Sequence, residues 1–286
     1  MPMTEGYADL GGVRLHYAEE GSGKLVLMLH GFPEFWRMWR RPMEVIGTTH
    51  RAVAVDTRGV NLSTGPDGID GYTADLLVGD VVGLIRALGH ERAVLVGHDW
   101  GGFIAWEVAI RHPSLLERLV IVNSGHPAIF TDLYKTSEAQ RQASAYIAHF
   151  RAEGFEDRLA ATGYASFEEL ILKPGLAGGV MTDADADAYR AAWRRPGSMR
   201  RALNYYRAMG GQRRTLAEAT VHVPTLVIWG ERDIYFVPDN VDRLPEVVPD
   251  LTVRRFPDND HWIVQQRPDE IGRLIAAFAA GAPLPG

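Results

Sequence analysis

Short runs of β-branched and other apolar residues punctuate this chain, each closed by a glycine or turn residue and followed by a stretch with helical spacing. They fall at residues 24–29, 51–55, 92–96, 119–122, 225–229 and 251–256. This alternation predicts βαβ units, and therefore a mostly parallel sheet covered by helices on both faces. The runs at 25–29 and 94–96 carry no polar alternation, as central strands buried on both sides require. On such a sheet the reactive groups belong at the C-terminal strand ends. Between residues 127 and 221 the rhythm changes to helical patterns rich in Ala, Arg, Tyr and Trp, with breaks at LKPGLAGG and RRPGS. We read this segment as a helical cap inserted after the sixth strand of the core pattern. The expected division is a core of residues 1–127 and 221–286 and a cap of residues 128–220. The cap arginines, among them Arg190, Arg194, Arg195, Arg200, Arg201 and Arg207, read as a solvated helix face rather than an anion site.

Composition narrows the partners. The 286 residues are 46% hydrophobic and carry a formal net charge of −6, which leaves no broad basic surface for nucleic acid or anionic lipid. A small, uncharged ligand is the expectation, on a monomer or homodimer. Cysteine is absent, which removes disulfides, thiol nucleophiles and thiolate metal ligands. The opening MPMTEGYADLGGVRLHYAEEG has neither a basic head with an apolar run nor a cleavage site, and no window approaches the ~18 apolar residues of a membrane span. A cytoplasmic location is expected. No His/carboxylate cluster has ligand spacing, so no metal or cofactor is expected.

The segment 93–109, AVLVGHDWGGFIAWEVA, is a strand, a sharp turn and a helix. Gly97 and Gly101 flank Asp99 in the elbow pattern G-x-Nuc-x-G, where glycines relieve crowding around an exposed nucleophile. Asp99 also reads as a helix N-cap, a reading that the flanking glycines and the partners below disfavour. An aspartate nucleophile changes the chemistry. Attack on an acyl carbon would form an unstable anhydride, whereas attack on a saturated carbon forms an alkyl ester, which points to epoxides and alkyl halides. Asp233 follows the strand ending in Trp229-Gly230, and His261 follows the last strand, in the chain order nucleophile, acid, histidine. Asp233 would orient the imidazole and His261 would activate water. The turn His30-Gly31-Phe32-Pro33 would aim the Phe32 N–H at the nucleophile, forming an oxyanion hole with the Trp100 N–H, with Pro33 a candidate for a cis bond. Glu34 reads as a turn and water-network residue.

Together HGFPEFW, DTRGVNLSTGPDGIDGY, GHDWGG, WGERD and DHW resemble the motifs of α/β-hydrolase-fold epoxide hydrolases of the bacterial soluble type, over nearly the whole chain. The resemblance implies the α/β-hydrolase fold with a cap, conversion of an apolar epoxide and water to a vicinal diol, and two cap tyrosines that protonate the epoxide oxygen. One stands in a Y-x-x-x-F segment, matched here by Tyr146, and the other in an N-[WY]-Y-R segment, matched by Tyr206. Tyr205 is its neighbour, but residues adjacent on a helix face directions about 100° apart, so only one of the pair can face the nucleophile. Both tyrosines also read as packing between cap and core. Haloalkane dehalogenases share GHDWGG but typically resemble HGN at the first motif, where this chain has Phe32, and fluoroacetate dehalogenases show Arg where it has Trp100. A haloalkane dehalogenase and a non-catalytic binder on the same fold remain the alternatives. Two departures stand out: Asp260 replaces a small residue beside His261, which would alter the pH profile, and Val60-Asn61-Leu62-Ser63 lacks the usual Tyr-Gly pair.

Overall fold

A computed structural model describes residues 3–210 and 214–286. Its centre is an eight-stranded sheet: β1 (Thr4–Asp9), β2 (Arg14–Gly21), β3 (Leu25–Leu29), β4 (Arg51–Val55), β5 (Ala93–His98), β6 (Leu116–Val122), β7 (Thr225–Gly230) and β8 (Leu251–Phe256). The strand order is β1-β2-β4-β3-β5-β6-β7-β8. β2 runs antiparallel to both neighbours, and every pairing from β4 to β8 is parallel. The apolar runs locate the parallel strands. They do not reveal β1 and β2, because β1 is a sheet edge with most of its residues at least partly exposed, so it needs no continuous apolar run.

Burial divides β3 between two cores, as the pleat requires. Leu25, Leu27 and Leu29 pack on one face, among residues of the helices Ala74–Ala87 and Trp100–Arg111. Val26 and Met28 pack on the other, among residues of Arg40–Ile46 and Pro268–Ala280. This second cluster continues upward into the cap through Tyr189, Trp193, Leu203 and Tyr206, so cap and sheet share apolar burial.

Among the described residues between β6 and β7 only helices and loops occur, the longest helices being Pro127–Thr136, Asp183–Arg194 and Ser198–Ala208. Asp183–Arg194 starts at a capping box between Thr182 and Asp185, and Asp185 also receives Arg37 Nε from the core at 2.8 Å. Further ties hold the cap down: Trp193 Nε1 donates to the Pro33 carbonyl at 2.7 Å, and Asn204 Nδ2 to the Asp67 carbonyl at 3.0 Å. Most of the cap arginines are not simply solvated. Arg190 pairs with Glu168, Arg200 and Arg207 share Glu156, and Arg201 meets Asp67 and the Gly59 carbonyl. Among the described residues no helix is long and apolar enough to cross a membrane.

Candidate active site

Polar groups that follow β3, β5, β6, β7 and β8 meet at the C-terminal ends of these parallel strands. β5 leads into Asp99, whose backbone takes φ +50° and ψ −118°, a left-handed conformation that costs a non-glycine residue about 1–3 kcal/mol. The flanking glycines make this turn possible. A Cβ on Gly97 would lie 2.3 Å from the Gly101 carbonyl oxygen, and one on Gly101 would lie 2.3 Å from that of Leu29. Gly31 is equally constrained, since its Cβ would meet that of Asp99 at 2.5 Å. β3 leads into this turn, where the Phe32–Pro33 peptide is cis. Phe32 N–H donates to Asp99 Oδ1 at 2.9 Å. Trp100 opens the following helix, so its N–H is among the first-turn donors that have no intrahelical partner.

The loops after β7 and β8 carry a buried carboxylate and a histidine that meet beside Asp99. His261 Nε2 lies 3.7 Å from Asp99 Oδ2, and His261 Nδ1 lies 2.8 Å from Asp233 Oδ2. Burial works against the imidazolium, but the charge and hydrogen bond of Asp233, then the charges of Asp99 and Glu34, overcome it and raise His261 to about 9. Burial also opposes ionisation of Asp233, yet His261, Asn123 and the Tyr235 N–H hold its carboxyl below the usual range. Asn123 was not singled out from the sequence. It follows β6 with φ +39°, is fully buried, donates to Asp233 Oδ2 at 2.7 Å and accepts the Gly230 N–H at 2.9 Å. It thereby joins the ends of β6 and β7 to the acid. The left-handed backbone favours Asn, but an isolated Asn after a strand reads as an ordinary turn residue.

A cavity of about 40 Å³ opens above Asp99, lined by Tyr146 and Tyr206 from the cap and by Trp100, Phe130 and Phe236, among others. The two phenol rings lie 6.2 Å apart between centroids. Burial, reinforced by the charge of Asp99, raises both phenols well above their ordinary value, so they stay protonated. Tyr205 points elsewhere: its hydroxyl donates to the Arg58 carbonyl at 2.8 Å.

A pocket over a carboxylate at a sharp strand-to-helix turn, beside a histidine–carboxylate pair, invites comparison with known proteins. A family model for the α/β hydrolase fold matches residues 24–268. The AB hydrolase superfamily protein YfhM of Bacillus subtilis is 33% identical over 280 residues, covering 95% of this chain and 96% of that protein. Human epoxide hydrolase 4 is 33% identical over 277 residues, covering 93% of this chain and 76% of its own length. An epoxide hydrolase from Bacillus megaterium, solved as a mutant complexed with its product, (R)-3-[1]naphthyloxy-propane-1,2-diol, aligns with a TM-score of 0.87 at 31% identity, covering 96% of this chain and 100% of that one. The chain belongs to the α/β-hydrolase fold family, on its epoxide hydrolase branch.

Within this α/β hydrolase the sequence departures acquire physical content. Asn61, in the place of the usual glycine, takes φ +47°, which Asn tolerates, and its side chain bridges Asp56 at 2.8 Å to Arg195 of the cap at 3.2 Å. Asp260 is committed to the turn that carries His261, accepting from the Trp262 N–H and Gln266 Nε2, each at 2.8 Å. Glu34 is more than a turn residue. It is buried, receives Tyr189 OH at 3.2 Å and Gln265 Nε2, and lies 3.5 Å from His98 Nδ1, while His98 Nε2 lies 2.9 Å from the His261 carbonyl. Tyr235 packs between relay and cap, with its ring 4.7 Å from that of His261 and 5.1 Å from that of Tyr146.

Proposed function

We propose that this α/β hydrolase converts epoxides and water to vicinal diols through an ester on Asp99. The reading is carried by one juxtaposition: a carboxylate at an elbow and two buried, protonated phenols lining the same small cavity. Asp99 attacks a ring carbon, the carbon–oxygen bond breaks, and the departing oxygen takes a proton from the Tyr146 and Tyr206 pair. An alkoxide is a poor leaving group and needs such donors, whereas a halide needs only N–H contacts. The names of the relatives support the same substrate class.

The second step requires a base. While Asp99 is anionic, His261 is held as an imidazolium. Esterification cancels that charge 3.7 Å away, which lowers the imidazole. His261 then releases its Nε2 proton to replace the one that the tyrosine pair gave to the epoxide oxygen, and Nε2 is free to accept a proton from water. The hydroxide attacks the ester carbonyl, and the Phe32 and Trp100 N–H groups stabilise the oxyanion. Collapse expels the diol oxygen, which takes the proton that the added hydroxide carried, restoring the Asp99 carboxylate beside an imidazolium His261. Asp233 orients His261 throughout. The division into a core of residues 1–127 and 221–286 and a cap of residues 128–220 belongs to this reading, with the core supplying nucleophile and relay and the cap supplying proton donors.

The test is the His261→Ala variant, which removes the water-activating base and leaves Asp99 in place. Incubated with styrene oxide, it is expected to gain the whole epoxide mass on the peptide containing Asp99. Incubated with bromobutane, it should gain little. A bare alkyl adduct from bromobutane with none from styrene oxide would instead establish a dehalogenase, and no adduct from either, on folded protein, would sink the covalent mechanism.

A further inference from the structure

The loop that leaves Asp233 carries a tyrosine whose place is not explained by burial of apolar surface alone. Ile234, the more apolar residue, is 64% exposed, while Tyr235 beside it is half-buried. The backbone of Tyr235 is held on both sides. Its N–H donates to Asp233 Oδ1 at 2.7 Å, and its carbonyl accepts Gln140 Nε2 at 2.9 Å. Gln140 is a fully buried residue of the cap helix Glu138–Ala143. The same side-chain amide accepts Asn240 Nδ2 at 2.7 Å and donates to Ser144 Oγ at 2.8 Å, just before the helix Tyr146–Arg151. The loop after the acid and the turn into Tyr146 are thereby tied to each other.

The ring of Tyr235 meets two groups of the proposed mechanism nearly at right angles. It stands at 73° to the His261 imidazole, 4.7 Å away, and at 76° to the Tyr146 ring, 5.1 Å away. His98, Phe236 and Trp262 also pack on His261, and Phe150 and Tyr206 on Tyr146, but among the described residues Tyr235 alone packs on both. Perpendicular aromatic pairs fix tilt as well as distance, because ring edges and faces carry opposite partial charge. An aliphatic side chain of similar bulk would fill the space without fixing the tilt. Tilt matters for His261, whose Nδ1 contact with Asp233 is a single point about which the ring can rock. It matters equally for Tyr146, whose hydroxyl must meet the departing oxygen.

We infer that Tyr235 is a positioning residue for both chemical steps: one ring holds the His261 imidazole as water activation needs it and the Tyr146 phenol as ring opening needs it. The inference rests on the proposed reaction at Asp99 and deepens it. Tyr235 gives and takes no proton; its ring does the holding, and its hydroxyl is dispensable.

Tyr235→Leu removes the ring and keeps much of the bulk, whereas Tyr235→Phe removes only the hydroxyl. Whole protein in excess over styrene oxide, quenched at intervals and weighed intact, gives the rates of ester formation and ester hydrolysis separately. Loss of one perpendicular pair per step predicts that Tyr235→Leu slows each step about two- to tenfold, while Tyr235→Phe keeps the parental rates. The deciding readout is a double-variant cycle. In a Tyr146→Phe background, Tyr235→Leu should no longer affect ester formation, since the hydroxyl that the ring positions is gone, yet should still slow hydrolysis by the same factor. A general loosening of the site would slow both steps in both backgrounds, and that result overturns the inference. So do parental rates in Tyr235→Leu, or a Tyr235→Phe protein as slow as Tyr235→Leu. Tyr235→Met carries the same expectations should circular dichroism show the leucine variant unfolded. Absence of both ester and diol from the parental protein overturns the proposed reaction itself, and the inference with it.

Discussion

Replacing Asp233 by asparagine preserves the shape of the relay and removes the negative charge 2.8 Å from His261 Nδ1. His261 stands at about 9 in the fold against an ordinary 6.5, and that difference corresponds to about 3 kcal/mol of stability. Because the folded value is the higher one, this stability is fully present below pH ~6.5 and disappears as pH rises through about 9. In Asp233→Asn, burial is opposed only by Asp99 and Glu34, so the folded value drops and the acid-side stabilisation is lost. The variant also presents an amide to the Tyr235 and Phe236 N–H groups that now donate to Asp233 Oδ1, but this mismatch is independent of pH. The parental advantage over Asp233→Asn should therefore narrow by about 3 kcal/mol between roughly pH 6 and pH 10. Urea unfolding of both proteins at the two pH values measures it, and titrations common to both cancel in the difference. A gap constant to within about 1 kcal/mol would refute the resting imidazolium, and with it the argument that esterification of Asp99 releases the base.

Tyr146→Phe and Tyr206→Phe should each slow ester formation by about tenfold to a few hundredfold, with the double variant nearly inactive; parental burst rates in both single variants would remove the phenols from the mechanism. Asn123→Ala takes the 2.7 Å bond from Asp233 and leaves the buried Gly230 N–H without its acceptor, so a stability loss of about 2–4 kcal/mol and slower ester hydrolysis are expected, checked by chemical denaturation and single-turnover kinetics. Gly101→Ala places a Cβ 2.3 Å from the Leu29 carbonyl oxygen and should yield little folded protein, as circular dichroism and thermal melting would show.

The parallel sheet was legible because strands buried on both faces need continuous apolar sequence, as in β3 and in the Ala93–Val96 part of β5. The edge hairpin was not, since exposure lets charge and alternation hide β1. The elbow could be read because crowding around Asp99 calls for glycine at both Gly97 and Gly101, two residues to either side of it. Asn123 and Glu34 act through partners distant in sequence, Gly230 and Asp233 for the first, Tyr189 and Gln265 for the second, so no local pattern announces either. The adjacent tyrosines are an intermediate case: helical geometry requires them to diverge, but only the packed cap shows that Tyr205 turns to the Arg58 carbonyl.

That divergence constrains how the chain can change in length. In Ser198–Ala208 one residue anchors the cap while its neighbour lines the cavity over Asp99, and Arg201 and Asn204 on the same helix also bind core carbonyls. One residue inserted or deleted between Gly197 and Tyr205 rotates everything beyond it by about 100°, exchanging an anchor for a reactive group and breaking the carbonyl contacts. Even an in-phase change of about seven or eleven residues would carry the anchors and Tyr206 roughly 10 Å or more along the axis, so shuffled or grafted caps must be joined outside this helix.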